Sequence, residues 1–301
     1  MYHCTQEDQR AAGVEHAQQA LAADQCVVIP TDTVYGIAVN AFSAEAVERL
    51  LQAKGRNRTM PPPVLIAHAG VMDGLADDVS DDAHALAQAF WPGGLTLICH
   101  AQPSLQWDLG ETQGTVALRV PDDQIARELL SAAGPLAVSS ANKTGLPAAI
   151  SVQQAREMLR DKVAVYLDAG PRGHVATTGS SAHPVVSRVP EASTIVDCTG
   201  QTPTVVREGI VTVEQLRTVV PSVVGPDHHD AADKIVEPEP QGPQETTELP
   251  DQDRRRTTTS SSQQPQPVDR ATAATLVARG GDAGKIQDST ADQNRRRDDE
   301  A

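Results

Sequence analysis

The chain has 301 residues, with 25 Lys and Arg against 40 Asp and Glu, and so carries a formal net charge of −15. That balance argues against a broad basic face for nucleic acid, and aromatic residues at 2% argue against a base-stacking platform. No apolar run reaches the ~20 residues of a membrane span. The polar start "MYHCTQEDQR" is no signal peptide, and four scattered cysteines with no C-x-x-C pair point to reduced thiols, no zinc knuckle and a cytoplasmic setting.

In chain order, "VEHAQQALAAD" reads as a helix, "CVVIPT" and "YGIAV" as strands. Ser43 is placed to N-cap "AEAVERLLQAK", whose Ala44, Val47, Leu50 and Leu51 make one apolar stripe, and Gly55 ends that helix. "PVLIAH" is strand-like, "DDAHALAQAF" a helix stopped by "WPGG", and "LTLICH" and "TVALRV" strands. "PDDQIARELLSAAG" has Pro and acids at its start and Gly at its end, the polarity of a helix. "PLAVSSA" is a strand, Ser151 caps "VQQAREMLR", and "VAVYLDAG", "STIVDC" and "TVVREG" are strands before a last helix, "VEQLRTVV". The pattern predicts an α/β domain with a mixed sheet of at least six strands, because some successive strands lack an intervening helix. Residues 1–225 form that domain; from Pro226 to 301 the chain lacks the apolar clusters needed to offset ordering entropy and reads as a disordered tail.

Residues 50–62 read "LLQAKGRNRTMPP" and place Lys54, Arg56 and Arg58 within five residues, where a helix stops. Cations in a last helical turn ordinarily complement the helix dipole, so the cluster alone does not establish an anion site. The usual nucleotide signatures are absent: neither G-x-x-x-x-G-K-[ST] nor G-x-G-x-x-G occurs between a strand and a helix, and G-x-S-x-G and H-E-x-x-H are absent too. Polar groups instead gather at strand ends, where ligands collect in open α/β sheets: "PTDT" at 30–33, "RVP" at 119–121, "SSAN" at 139–142 and "REG" at 207–209. Hydroxyls there are also ordinary caps and turn contacts. Taken jointly with Lys54, Arg56, Arg119 and Arg207, they suit a polyanion and a small zwitterion.

In this order, "PTDTVYGIAVNAF", "KGR", "WPGGLTLI", "VALRVP", "SSAN" and "STIVD…REG" resemble the YrdC-like threonylcarbamoyl-AMP synthases over about residues 14–220. The paired signature K-x-R and S-x-N falls on Lys54-Gly55-Arg56 and Ser140-Ala141-Asn142. The resemblance implies a twisted mixed α/β sheet around a concave, positively charged cleft. It also implies condensation of L-threonine, bicarbonate and ATP, with Mg²⁺, into threonylcarbamoyl-adenylate and pyrophosphate. A partner transferase would carry the group to adenosine 37 of tRNA, with room for a weak tRNA contact and none for a membrane. By the same resemblance, Lys54 and Arg56 hold the triphosphate as catalytic cations, and Thr115, Ser140, Asn142 and Arg207 complete the ATP site. Arg119 takes the threonine carboxylate, with Thr33, His68, the Val138 backbone and Ser193 around it.

His68 can equally be a hydrogen-bonded core histidine, Asp32 an orienter of its neighbours, and Tyr35 a packing residue. The chain departs from the family pattern at "HVATTGSSAHPVVSRVPEA", longer than the usual link, so that 174–190 reads as a lid or a disordered insertion. The alternative functions are a non-catalytic RNA-binding translation or ribosome-maturation factor, and a carbamoyl-adenylate maker of hydrogenase maturation. Relatives of the latter kind carry zinc-finger and acylphosphatase segments that this chain lacks.

Overall fold

The computed structural model describes residues 1–178 and 185–226; the expected disordered tail lies, past Pro226, outside the described residues. The chain divides into units 1–244 and 245–301, and every described element belongs to the first. The elements, in order, are β1 (Tyr2–His3), α1 (Glu7–Ala22), β2 (Val27–Ile29), β3 (Gly36–Asn40), α2 (Ala44–Lys54), β4 (Val64–Leu65), α3 (Met72–Leu75), β5 (Ala76–Asp77), α4 (Asp81–Phe90), β6 (Leu95–Ala101) and β7 (Thr115–Arg119). There follow α5 (Gln124–Ala133), β8 (Leu136–Ser140), α6 (Val152–Leu159), β9 (Val165–Asp168), β10 (His174–Thr178), β11 (Val185–Val189), β12 (Thr194–Asp197), β13 (Thr204–Arg207) and α7 (Val213–Val219).

The helix ends follow the sequence chemistry. Ser43 accepts from Ala46 N at the start of α2, and Gly55 closes it at φ 67°, a left-handed turn that glycine adopts without a side-chain clash. Asp123 caps α5 in the same way, and Thr212 and Gln215 make a reciprocal capping box on α7. Helix α1 starts well before the predicted stretch: its first turns, "EDQRAA", have no apolar stripe, and burial begins only at Gly13 and Val14.

The sheet is mixed, as expected, in the order β1-β9-β2-β3-β8-β4-β7-β6-β12-β13, with β5 on the flank of β6. It combines parallel ladders (β9 with β2, β4 with β7, β6 with β12) and antiparallel ones (β3 with β8, β6 with β7, β12 with β13). One face buries a large core against α2, α4, α6 and α7, with Leu50, Leu86, Val152 and Leu216 among its members. The other face is covered by α1 and α5 over β9, β2, β3 and β8, through Ala17, Leu21, Ile125 and Leu129. In β6, β7 and β12 the residues Leu97, Leu118 and Val196 belong to the large core. Their neighbours Thr96, Ala117 and Ile195 therefore face the other way, and there they floor a cavity.

All four cysteines are buried and unpaired. Burial pushes the thiols of Cys4 and Cys26 up to about 11 and that of Cys99 to about 12, from an ordinary value near 9. A raised folded pKa leaves stability intact below pH 9 and removes it as pH climbs toward 11–12, because the unfolded thiols ionise first. The urea midpoint is therefore expected to hold level up to about pH 9 and then fall. At pH 8 the native chain should give no fast reaction with a thiol reagent, and all four groups should react in denaturant. Fast labelling of the native chain would contradict this packing.

Candidate active site

The cavity encloses about 310 Å³ at the ends of β2, β4, β7 and β8, on the half of the sheet that α1 and α5 leave uncovered. Small residues of its floor, Thr96, Ala117 and Gly36, keep it open. A Cβ on Gly36 would stand 2.6 Å from Val138 Cγ1, so a side chain there would have to displace the strand beside it.

Arg119 ends β7 inside this cavity and is only 6% exposed. Its Nη2 donates to Asp32 Oδ1 at 2.6 Å and its Nε to the Gly93 carbonyl at 2.9 Å; the "WPGG" turn, cis at Trp91–Pro92, presents that carbonyl. Both terminal nitrogens lie 3.3 Å from Thr33 Oγ1, which is itself 3.0 Å from Thr31 Oγ1. Burial lowers the Arg119 pKa and the Asp32 carboxylate opposes that shift. The guanidinium remains a cation, held along one edge by Asp32 and Gly93 and turned toward the Thr33 hydroxyl.

A second cation arrives from α2. Past Gly55 the chain turns, and Arg56 Nη1 donates to Ser139 Oγ at 3.1 Å on the cavity wall. A third comes from β13 by a break in register. Ile195 pairs with Arg207 but Val196 pairs with Val205, a bulge that puts Arg207 on the cavity face although Val205, two residues earlier, is in the core. Arg207 Nη2 donates to the Ser193 carbonyl at 2.9 Å, and Ser193 Oγ lies 2.9 Å from Thr96 Oγ1.

Of the residues singled out in the sequence, Thr33, Arg56, Arg119, Val138, Ser140, Ser193 and Arg207 line this one cavity. Thr115 shares a strand face with Ala117 and Arg119 but lies one step outside the wall, its hydroxyl donating to the Thr112 carbonyl at 2.7 Å. Lys54 and Asn142 stand behind the wall. Lys54 is 2% exposed, and its Nζ donates to the carbonyls of Ser140 at 2.5 Å and Asn142 at 3.0 Å, while Asn142 Nδ2 donates to the Leu146 carbonyl at 2.6 Å. The lysine thus fixes the turn that carries Ser140. His68 is exposed at the start of a short 3-10 turn and is neither a wall residue nor a core histidine. Tyr35 packs as expected: it is fully buried, donates to the Gly170 carbonyl at 2.7 Å, and burial pushes its phenol up to about 12.

Two acidic groups belong to the site: Asp32, the orienting residue read from the sequence, and Glu191, which sequence reading missed. Asp32 is the ion-pair partner of Arg119, and Glu191 lines the cavity. The segment 174–190, expected as a lid or a disordered insertion, is an antiparallel hairpin of β10 and β11 whose outgoing residues Pro190 and Glu191 form part of the wall; its tip, 179–184, lies outside the described residues.

Comparison with known proteins agrees with this architecture. The Sua5–YciO–YrdC family, described as telomere recombination, matches residues 19–209. A putative threonylcarbamoyl-AMP synthase of Mycobacterium tuberculosis H37Rv is 47% identical over 219 residues, 73% of this chain and 94% of that protein. The threonylcarbamoyl-AMP synthase of Bacillus subtilis is 32% identical over 72% of this chain and 58% of that protein. The crystal structure of Pyrococcus abyssi Sua5 complexed with L-threonine superposes with a TM-score of 0.65 at 28% identity, covering 74% of this chain and 63% of that one, so the chain spans less than two thirds of that structure. With most of the folded region matched in sequence and in fold, the chain belongs to the Sua5–YciO–YrdC family.

Proposed function

We propose that the chain is an L-threonylcarbamoyladenylate synthase, a nucleotidyltransferase that joins L-threonine, bicarbonate and ATP into threonylcarbamoyl-AMP and pyrophosphate. The observation that carries this reading is the convergence of Arg56, Arg119 and Arg207 on one small cavity walled by Thr33, Ser139 and Ser193. Three guanidinium groups in a chain of net charge −15 are a concentrated demand for anions. A volume of about 310 Å³ suits a small amino acid and part of a nucleotide rather than a polynucleotide. No aromatic ring is among the described wall residues, which disfavours the RNA-binding reading, since such modules stack bases on exposed rings.

In this reading Arg119 takes the threonine carboxylate through its Thr33 edge, and the backbone of Val138 and the Ser193 hydroxyl flank the amino acid. Arg56, with Ser140 beside it, and Arg207 across the cavity hold the phosphates; Thr115 extends that site outward, and Lys54 and Asn142 support it from behind. The threonine amine adds to bicarbonate with loss of water to give a carbamate. A carbamate oxygen attacks the α-phosphorus, and pyrophosphate leaves toward the two arginines. The wall offers no placed nucleophile to this chemistry, so the rate comes from positioning and charge neutralisation. The polar wall is mostly Arg, Ser and Thr, which suit phosphate oxygens, with Glu191 its one described carboxylate, so Mg²⁺ would be carried mainly by the triphosphate and neutralise its charge there. The product would pass to a tRNA threonylcarbamoyl transferase acting on adenosine 37. The setting proposed is cytoplasmic; among the described residues no helix is long and apolar enough to cross a membrane.

The test is pyrophosphate release from ATP and Mg²⁺ with threonine and bicarbonate each present or omitted. Release that needs both, with a product of threonylcarbamoyl-adenylate mass, is expected; release indifferent to threonine overturns the substrate. Arg56→Ala should raise the KM for ATP about 30-fold, the loss of one charge-assisted contact of roughly 2 kcal/mol, with Tm changed by less than ~2 °C because Arg56 is only half-buried.

A further inference from the structure

Glu191 is the single acidic residue among the described residues that line the cavity. It reaches the wall from the β10–β11 hairpin, a segment longer than the family pattern, so the resemblance gives it no role. Its side chain is 28% exposed, and the carboxylate pairs with His174 Nδ1 at 3.2 Å on the first residue of that hairpin.

The substrates of the proposed reaction bring several anionic groups and one cation, the α-ammonium of threonine. The three arginines suit the anions and repel the cation. Asp32 is the other carboxylate close to the site, and it is committed to Arg119 and to the Asp122 backbone N–H at 3.1 Å. Glu191 is also in the right neighbourhood. Leu97 pairs with Leu118, so one step along the antiparallel ladder Thr96 stands opposite Arg119. Thr96 Oγ1 lies 2.9 Å from Ser193 Oγ, and Ser193 is two residues from Glu191. A short run of wall residues therefore joins the carboxylate-binding cation to the one carboxylate.

We propose that Glu191 binds the α-ammonium of the amino-acid substrate and so makes the cavity selective for α-amino acids over hydroxy acids of the same shape. This rests on the function proposed above. Arg119 and Glu191 then grip the two charged ends of the zwitterion, and once the ammonium passes a proton to the Glu191 carboxylate or to solvent the free amine is held facing bicarbonate.

The experiment compares calorimetric binding of L-threonine with that of 3-hydroxybutyrate, which keeps the hydroxyl and carboxylate and lacks the amine. The wild-type chain is expected to prefer threonine at least tenfold, the weight of one charge-assisted contact. Glu191→Gln should bring the two ligands within about threefold. In turnover it should raise the KM for threonine tenfold or more while the KM for ATP stays within twofold. His174→Ala is the control for a merely structural role, and should keep the preference for threonine to within threefold of wild type. Equal losses in Glu191→Gln and His174→Ala would make Glu191 a hairpin anchor and overturn the proposal, as would an unchanged preference in Glu191→Gln. If the wild-type chain binds threonine but releases no threonine-dependent pyrophosphate, the proposed reaction fails while the binding ratio still decides Glu191. If it does not bind threonine at all, both fall.

Discussion

Arg119→Ala is expected to lower kcat/KM for threonine between about 10² and 10³-fold and to lower Tm by roughly 10 °C. The two effects have separate causes. Activity falls because the cation proposed to take the threonine carboxylate is gone, and truncating one partner of a buried, hydrogen-bonded charge pair costs about 2–5 kcal/mol of binding. Stability falls because Asp32 stays behind, its side chain only 15% exposed, with its guanidinium partner removed. Breaking such a pair from one side costs about 3–5 kcal/mol, and for a domain of this size each kcal/mol is roughly 2–4 °C. The double substitution Arg119→Ala with Asp32→Asn should therefore recover several degrees and none of the activity. Arg119→Lys keeps the charge but not the fork that holds Gly93, Asp32 and Thr33 at once, so it should recover stability in part and leave threonine binding weak. Steady-state kinetics and thermal melts on the four proteins read both effects. A folded Arg119→Ala protein with an unchanged KM for threonine would remove Arg119 from the amino-acid site.

How much of this was legible in the sequence depends on the length scale of the cause. Local chemistry was readable: the Ser43 and Ser151 caps, the Gly55 stop and Val47, Leu50 and Leu51 of the α2 stripe are as predicted, because each involves neighbours within four residues, although Ala44 is exposed and Ala46 and Ala53 take its place in the core. Most strands were readable in the same way, but the two-residue β1 and β5 and the β10–β11 hairpin were not; successive strands without a helix between them gave the mixed sheet. The cavity was only half readable. Its donors could be gathered from the strand ends, yet nothing local says that α1 and α5 cover one half of a sheet face and leave the other half open. Arg207 was named correctly while its route to the site was not legible, and His68 and Glu191 are two misses with distinct physical origins. Arg207 reaches the site through a bulge, which breaks the period-two pattern that sequence reading relies on. His68 was expected in the threonine pocket, but β4 ends at Leu65 and the chain leaves the ladder before His68, which turns outward. Glu191 lies at the end of a hairpin whose sequence, rich in Ser, Thr and Gly, gives no apolar alternation at its tip, so its register against the wall is a tertiary property.

Lys54 offers the sharper separation between holding a phosphate and holding the wall that holds it. Its ammonium has three protons to donate, and in this structure it serves the carbonyls of Ser140 and Asn142 and lies 3.4 Å from Ser140 Oγ. Lys54→Ala removes those charge-assisted bonds and the packed aliphatic stem together. Losing charge-assisted bonds to two carbonyls costs roughly 3 kcal/mol or more, equivalent to about 6–12 °C in Tm, and loosens the turn that presents Ser140. Turnover should fall about 10²-fold. Lys54→Met separates the causes, because methionine restores most of the stem and none of the charge: it should regain a few degrees and stay catalytically poor. If Lys54 works by shaping the turn, the defect in Lys54→Met appears chiefly in kcat, and the KM for ATP rises less than in Arg56→Ala, whose guanidinium lines the cavity itself. If Lys54 instead grips the triphosphate directly, the ammonium must leave the two carbonyls when ATP binds. Lys54→Met would then raise the KM for ATP beyond the Arg56→Ala value, and ATP would stabilise the wild-type chain against heat far more than the variant. The KM comparison across the two substitutions decides which side of the wall the lysine serves.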